Sequence, residues 1–391
     1  MEWLAAWLQG VAAGALGVLP FVHPNALLRL NAFQGIDAAV FAAALAFSHI
    51  AFQTIPTVFL CLPSSGQSVG VLPAQRMALE GRTGKAFSLV LKTSFWALAF
   101  ALALTPFSII ALKALIVVVK PFAGAVLALL AASFVVREKN VARAGLAFAV
   151  AGAVGFAALV LPVAREPLFP LLTGLFGVPA LLASFNAGKA AEVTREPARV
   201  NRKIVFASVA VASLSPLLPA LTPALLASLA FLAFKPSEEE FLTASTALVV
   251  SKTFFDFAAT HAIGKARSGT AALALEALKT VSAQDVLLFA VVAATALAFA
   301  TLALLFAQKW LNRVFYSINQ KALATALFAG LTAAVFLASG AGGLVVLATA
   351  SAAGAFTDFL GARKGLLSGA LIAPSLAHSF GVTTAIAAAL L

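Results

Sequence analysis

The sequence predicts an all-α polytopic membrane protein, one transmembrane domain over residues 1–391 with about 10–12 spanning segments. The segments fall into two repeats of the inverted kind, with broken or re-entrant helices. Three observations predict this. Apolar side chains make up 62% of the 391 residues and charged ones only 10%, whereas a soluble globule of this size needs about a quarter charged. The mean hydropathy of +1.04 likewise excludes disorder, whose signature is low hydrophobicity with high net charge. Finally, the apolar runs are continuous and lack period-2 alternation, so they read as helices rather than as barrel strands.

Taken in order, the runs lie near 3–22, 36–62, 86–112, 114–136, 144–163 and 168–187 in the first half. Those of the second half lie near 203–218, 240–260, 285–307, 322–340, 342–360 and 365–385. Gly, Pro or charge separates each from the next. The first run has no basic leader and no small-residue cleavage site, so it reads as a membrane segment and not as a removed signal. The polar interval 188–203 collects Lys189, Arg195, Arg199, Arg202 and Lys203, and reads as a cytoplasmic linker between repeats of about 1–190 and 200–391.

Lys and Arg number 26 against 14 Asp and Glu, a net charge of +12. In a soluble chain that balance would suggest nucleic acid. Here the basic residues sit in short loops, as the positive-inside bias requires, so no nucleic-acid partner is expected. The single Cys61 excludes an internal disulfide and a cysteine metal cluster. No HExxH or paired-aspartate motif is present, and GQSVG at 66–70 has the GxSxG spacing but follows an apolar helical run rather than the strand that a nucleophile elbow needs, so an enzyme is not expected. The expected location is a prokaryotic cytoplasmic membrane, with no cofactor and no metal.

Self-similarity at half the chain length is the most informative pattern. Two prolines with three residues between them occur twice, as Pro20/Pro24 and Pro219/Pro223, at an offset of 199 residues. GLFGVP at 174–179 faces GALIAP at 369–374 at an offset of 195. Between these anchors each half carries a helix ending in a polar, Gly-containing stretch, FLCLPSSGQSVG at 59–70 and DFAATHAIGKARSGT at 256–270. In hydrocarbon, unpaired backbone groups cost several kcal/mol, so helices break only where protein or a watery cavity receives them. Amides at the start of a half-helix carry partial positive charge and suit carboxylate or phosphate oxygens.

The candidate substrate-binding residues follow from these breaks. Ser64, Ser65, Gln67 and Ser68 line the first polar break, and Thr260 and His261 the second. Asn25 and Thr222 stand beside the paired prolines. On the helix leading into the second break, Lys252 would attract the anion and Asp256 would take part in proton or sodium coupling. Lys252 and Asp256 are also four apart, so they can neutralise each other within the helix. His49, Gln53 and Thr57 form a polar stripe at i, i+4, i+8 on the run 36–62. Arg76, Arg82 and Lys85 read as interfacial charges flanking the next helix.

The segments GALGVLPFVHPNALL, FLCLPSSGQSVGVLPAQRMALEGRTGKAFSL and LLTGLFGVPALLAS resemble the large permease subunit of tripartite tricarboxylate transporters, the TctA family. The likeness rests on Pro20, Pro24, Pro63, Ser64, Ser65 and Ser68 in the breaks. It also rests on Met77, Gly81, Gly84 and Ala86 in the basic helix that follows, and on Gly174 and Gly177. Phe21 stands where the family usually has Gly, and the length is that of the compact archaeal branch. The resemblance implies secondary transport of small carboxylates driven by an ion gradient. It also implies a small membrane subunit and an extracytoplasmic binding protein as partners. A homodimer is a further expectation. The alternative is a carrier or flippase for a lipid-linked phosphate, which the same half-helix amides could hold.

Overall fold

In the computed structural model the described residues are 2–19, 22, 24–59, 71–185, 198–218, 221, 223, 226–227, 236–317 and 320–390. Among them every regular element is a helix. The first half holds α1 (Glu2–Ala15), the short α2 (Pro24–Leu27), α3 (Gly35–Phe52) and α4 (Thr54–Phe59). It continues with α5 (Val71–Leu79), α6 (Thr83–Val136), α7 (Val141–Val160), α8 (Leu168–Leu172) and α9 (Val178–Phe185), the last two joined by a π-helical turn at Thr173–Gly177. The second half holds α10 (Arg202–Ser213), α11 (Glu238–Ile263), α12 (Gly269–Leu278), α13 (Ala283–Ser317) and α14 (Gln320–Phe359). It ends with α15 (Gly369–Ser379) and α16 (Thr383–Leu390).

Five stretches among the described residues are long and apolar enough to cross a bilayer: 35–59, 83–136, 141–160, 283–314 and 324–359. The chain is thus a multi-pass membrane protein. At 1.5 Å per residue, the 54 residues of α6 extend about 80 Å, more than twice a hydrocarbon layer of about 30 Å. The apolar runs 86–112 and 114–136 are therefore parts of one continuous helix. Lys113 divides the hydropathy but is itself a good helix former, so the backbone passes straight through it. At Gly340 the reverse holds. Its φ of 73° and ψ of −168° interrupt α14 between the runs 322–340 and 342–360. A side chain is disfavoured at that φ, which is why glycine occupies the kink. Large apolar side chains stand exposed along the long helices, Phe107 at 69%, Leu337 at 79% and Phe306 at 85%. In water such faces would drive aggregation, whereas against acyl chains they cost nothing.

The chain divides into two compact units. The first comprises 1–117, 189–217 and 221–318, and the second 118–188, 218–220 and 319–391. At the centre of the first unit, α3 is buried from Ala38 to Ala51 with no exposed face, the pattern of a helix enclosed by neighbours. Glycines let α1 approach it. A Cβ on Gly10 would lie 2.8 Å from that of Ala44, and one on Gly14 would lie 2.9 Å from Leu45 O and His49 N. This small-residue seam substitutes for the hydrophobic effect, which has no force between helices in lipid. The rings of Phe47, Phe257 and Phe289 link α3, α11 and α13 at centroid separations of 6.3 and 5.1 Å.

In the second unit, α7 packs on α15 through Gly155 and Gly369, and α14 meets the 168–185 segment through Gly174 and Gly354. Ala151, Leu171, Leu175, Ala350 and Ala370 are fully buried there. Asn140 caps α7 by accepting from Arg143 N at 3.1 Å, and Arg363 pairs with Glu138 at 3.2 Å.

Candidate functional site

Every described candidate residue belongs to the first unit. Helix α11 is set by Ser237, whose hydroxyl accepts from Glu240 N at 3.3 Å while Glu240 Oε2 accepts from Ser237 N at 2.9 Å, a capping box. Nearly every residue of α11 from Leu242 to Ala262 is buried. Inside this helix Lys252 Nζ donates to Asp256 at 2.7 and 3.0 Å. The Asp256 side chain is 3% exposed and that of Lys252 13%. The helical spacing of four brings these two charges together, and each offsets the cost of the other's burial.

The second polar break begins about one helical turn later than the sequence suggests. α11 remains helical through Ile263 and is ended by Gly264, whose φ of 62° lies in the left-handed region. Thr260 and His261 therefore sit in the last turn. The Thr260 hydroxyl donates to Phe257 O at 2.6 Å. His261 Nδ1 bonds Val281 O at 2.8 Å, and since a carbonyl only accepts, Nδ1 bears the proton in that contact. This ties the end of α11 to the segment preceding α13.

After Gly264 the chain runs through Arg267 to Ser268, whose hydroxyl caps α12 by accepting from Ala271 N at 3.4 Å. Arg267 Nε donates to Pro216 O at 2.8 Å. Pro216 lies in the turn Ser215–Leu217 just before the second proline pair, so this bond joins the two breaks of the second half. Nothing in the sequence marks Arg267 beyond its charge. Asn25 lies at the start of α2 with an exposed side chain. That side chain covers Gly269, where an added Cβ would come within 2.7 Å of Asn25 Cγ. The structure thus brings the first half's proline break onto the first residue of α12.

The polar stripe on α3 and α4 is buried throughout, with His49 and Gln53 at 2% and Thr57 at 0% exposure. Thr57 Oγ1 donates to Gln53 O at 2.9 Å, and Gln53 Oε1 has no hydrogen-bond partner among the described residues. Arg76, Arg82 and Lys85 do more than flank a helix. Arg76 pairs with Glu238 at 3.2 Å, Lys85 with Glu239 at 2.7 Å, and Arg82 with both Glu239 and Glu80. They clasp the first turn of α11. Glu238 is held below the usual carboxylate value of 4.5, first by its backbone amide and next by Arg76.

Ser64, Ser65, Gln67, Ser68 and Thr222 lie outside the described residues. Among the described residues no group of three His, Cys, Asp or Glu converges as a metal site would require.

An uncharacterized protein of Methanocaldococcus jannaschii is 25% identical over 193 residues, covering 46% of this chain and 48% of that protein. The match spans about half the length of that relative. No solved structure matches the chain. The profile of the tripartite tricarboxylate transporter TctA family matches residues 4–367. The chain therefore belongs to the tripartite tricarboxylate transporter TctA family.

Proposed function

We propose that the protein is a secondary active transporter that moves a small di- or tricarboxylate across the cytoplasmic membrane, coupled to a proton or sodium gradient, by alternating access. Family membership supports the class of cargo. The observation that carries the reading is the buried Lys252–Asp256 pair, set in the buried helix α11 about two and three turns before its end at Gly264, beyond which Arg267 is bonded to Pro216 O. Burying two charges costs several kcal/mol per ion in desolvation, and we read the pair as kept because it acts on an ion or a ligand. In this reading Asp256 carries the coupling ion. Lys252 attracts the anion, and Asn25, Thr260, His261 and the hydroxyl and amide groups of Ser64, Ser65, Gln67, Ser68 and Thr222 orient it.

A two-repeat plan supports alternating access. The elements recur in order: α1 with α10, α3–α4 with α11, α5 with α12, and α6 with α13 and the first part of α14. α7 matches the part of α14 beyond Gly340, which stands where Asn140 begins α7. The boundaries between the compact units after Val117 and after Ile318 also fall at corresponding places. Each half of the chain thus lends its first part to one unit and its last part to the other. A small membrane subunit and an extracytoplasmic binding protein are the proposed partners, and homodimerisation belongs to the same proposal.

A ligand that binds only the native state raises its stability, by about 2.7 kcal/mol at one hundred times its Kd. A thermal-shift screen of the purified protein against citrate, succinate, phosphate and lipid phosphates, with and without sodium, therefore tests the cargo. Stabilisation by di- or tricarboxylates is the expected result. Stabilisation by lipid phosphates alone would favour the flippase reading and overturn this one.

A further inference from the structure

The site described above contains more positive charge than its carboxylate offsets. Lys252 Nζ lies 2.7 Å from Asp256 Oδ2, and the Arg267 guanidinium is also within electrostatic reach of Asp256. Two cations thus share one carboxylate, and one positive charge is left over. Arg267 is half-buried in the short turn between α11 and α12, and an uncompensated charge in such surroundings is costly unless an anion joins it. The geometry fixes how an anion would be met. The Nε bond to Pro216 O at 2.8 Å anchors the plane of the guanidinium. Its two terminal nitrogens have no other hydrogen-bond partner among the described residues, so their paired N–H groups are available as a fork. Beside Pro216, the Ser215 hydroxyl is 2% exposed and also has no partner among the described residues.

We propose that Arg267 is a second anion-recognising residue of this site, which binds a ligand carboxylate bidentately through its terminal nitrogens while Lys252 and Asp256 remain paired. The inference rests on the transporter reading and adds to it the group that sets substrate class. A guanidinium fork matches the two coplanar oxygens of a carboxylate, whereas a lysine ammonium is a point charge without that geometric preference. Anchoring on Pro216 O means little side-chain freedom is lost when the ligand binds. It also gives anion binding a direct mechanical link to the turn Ser215–Leu217.

Citrate titrations of the detergent-solubilised full-length protein test this, with affinity read from the dependence of the thermal midpoint on citrate concentration. Wild type, R267Q and R267K are compared. R267Q removes the charge and the fork, and its citrate affinity should fall by roughly tenfold or more, the usual effect of losing a charged hydrogen-bonding partner. R267K keeps the charge and can still reach Pro216 O but lacks the fork. It should fall in between, with a reduced preference for citrate over inorganic phosphate, and it serves as the test should R267Q not fold. Citrate affinity unchanged in both variants, with only the ligand-free midpoint lowered, would make Arg267 a mere staple and overturn the inference alone. Wild type binding phosphate as tightly as citrate would overturn the carboxylate assignment. A wild type stabilised by no organic acid would overturn the transporter reading as well.

Discussion

Replacing Asp256 by Asn leaves Lys252 charged inside a packed helix. The Asp256 side chain is only 3% exposed and the Lys252 side chain 13%, so water compensates little of the loss. Breaking one partner of a buried pair costs about 3–5 kcal/mol, roughly a 150- to 5,000-fold change in the folding equilibrium. The lower end applies here because Lys252 retains some access to solvent. Replacing both partners, as in K252M/D256L, removes both desolvation terms at once. Such exchanges are neutral or stabilising by about 1–4 kcal/mol. The double variant should therefore fold nearly as well as wild type, short only of what Arg267 loses with its carboxylate, yet transport nothing. Trp3, Trp7, Trp96 and Trp310 all fall in the same unit as the pair, so denaturant titration followed by tryptophan fluorescence reads that unit's stability. Uptake into proteoliposomes reads the activity. If D256N lost less than about 1 kcal/mol, the burial argument would be wrong. If K252M/D256L folded and still transported, the pair would be no part of the site.

Three further outcomes are expected. S64A/S65A should stay folded and extractable while its substrate affinity drops, and unchanged uptake kinetics would remove both serines from the site. Glu238 is held below its ordinary pKa by its backbone amide and by Arg76, so its contribution to stability is present above the unfolded value and lost as the pH falls through the folded one. E238Q should flatten the acid limb of the stability profile, and the clasp of Glu239 on Lys85 should weaken in high salt. A persistent acid limb in E238Q would assign it to another carboxylate. G14V and G155V drive side chains into Leu45 O and into the Ala370 backbone, and overpacking of that kind costs about 1–3 kcal/mol or more. Wild-type thermal midpoints in both variants would show that the seams are looser than described.

The helical, membrane-bound character of the chain is legible because hydropathy acts over whole segments. Gly340 was readable as a break for the same reason that glycine ends helices, since its φ of 73° disfavours a side chain. Lys113 misleads because charge interrupts hydropathy without interrupting a helix. Within the site, the i, i+4 spacing announced the Lys252–Asp256 contact, and it did so because both residues share one helix. Arg267 was invisible, since its partner Pro216 lies 51 residues away and only tertiary packing brings the two turns together. The bond from His261 to Val281 O, which fastens one helix end to the next connection, is equally non-local. Asn25 was named for its proline neighbour, but its place over Gly269 depends on how α2 meets α12.

Gradient-driven uptake of labelled citrate into proteoliposomes bears most directly on the whole account. With a sodium or proton gradient imposed, citrate should accumulate above its external concentration in wild type, and K252M/D256L and R267Q should abolish or sharply reduce that accumulation. Citrate that merely equilibrates with the medium at an undiminished rate after both gradients are dissipated would mark the protein as a passive pore and contradict the account.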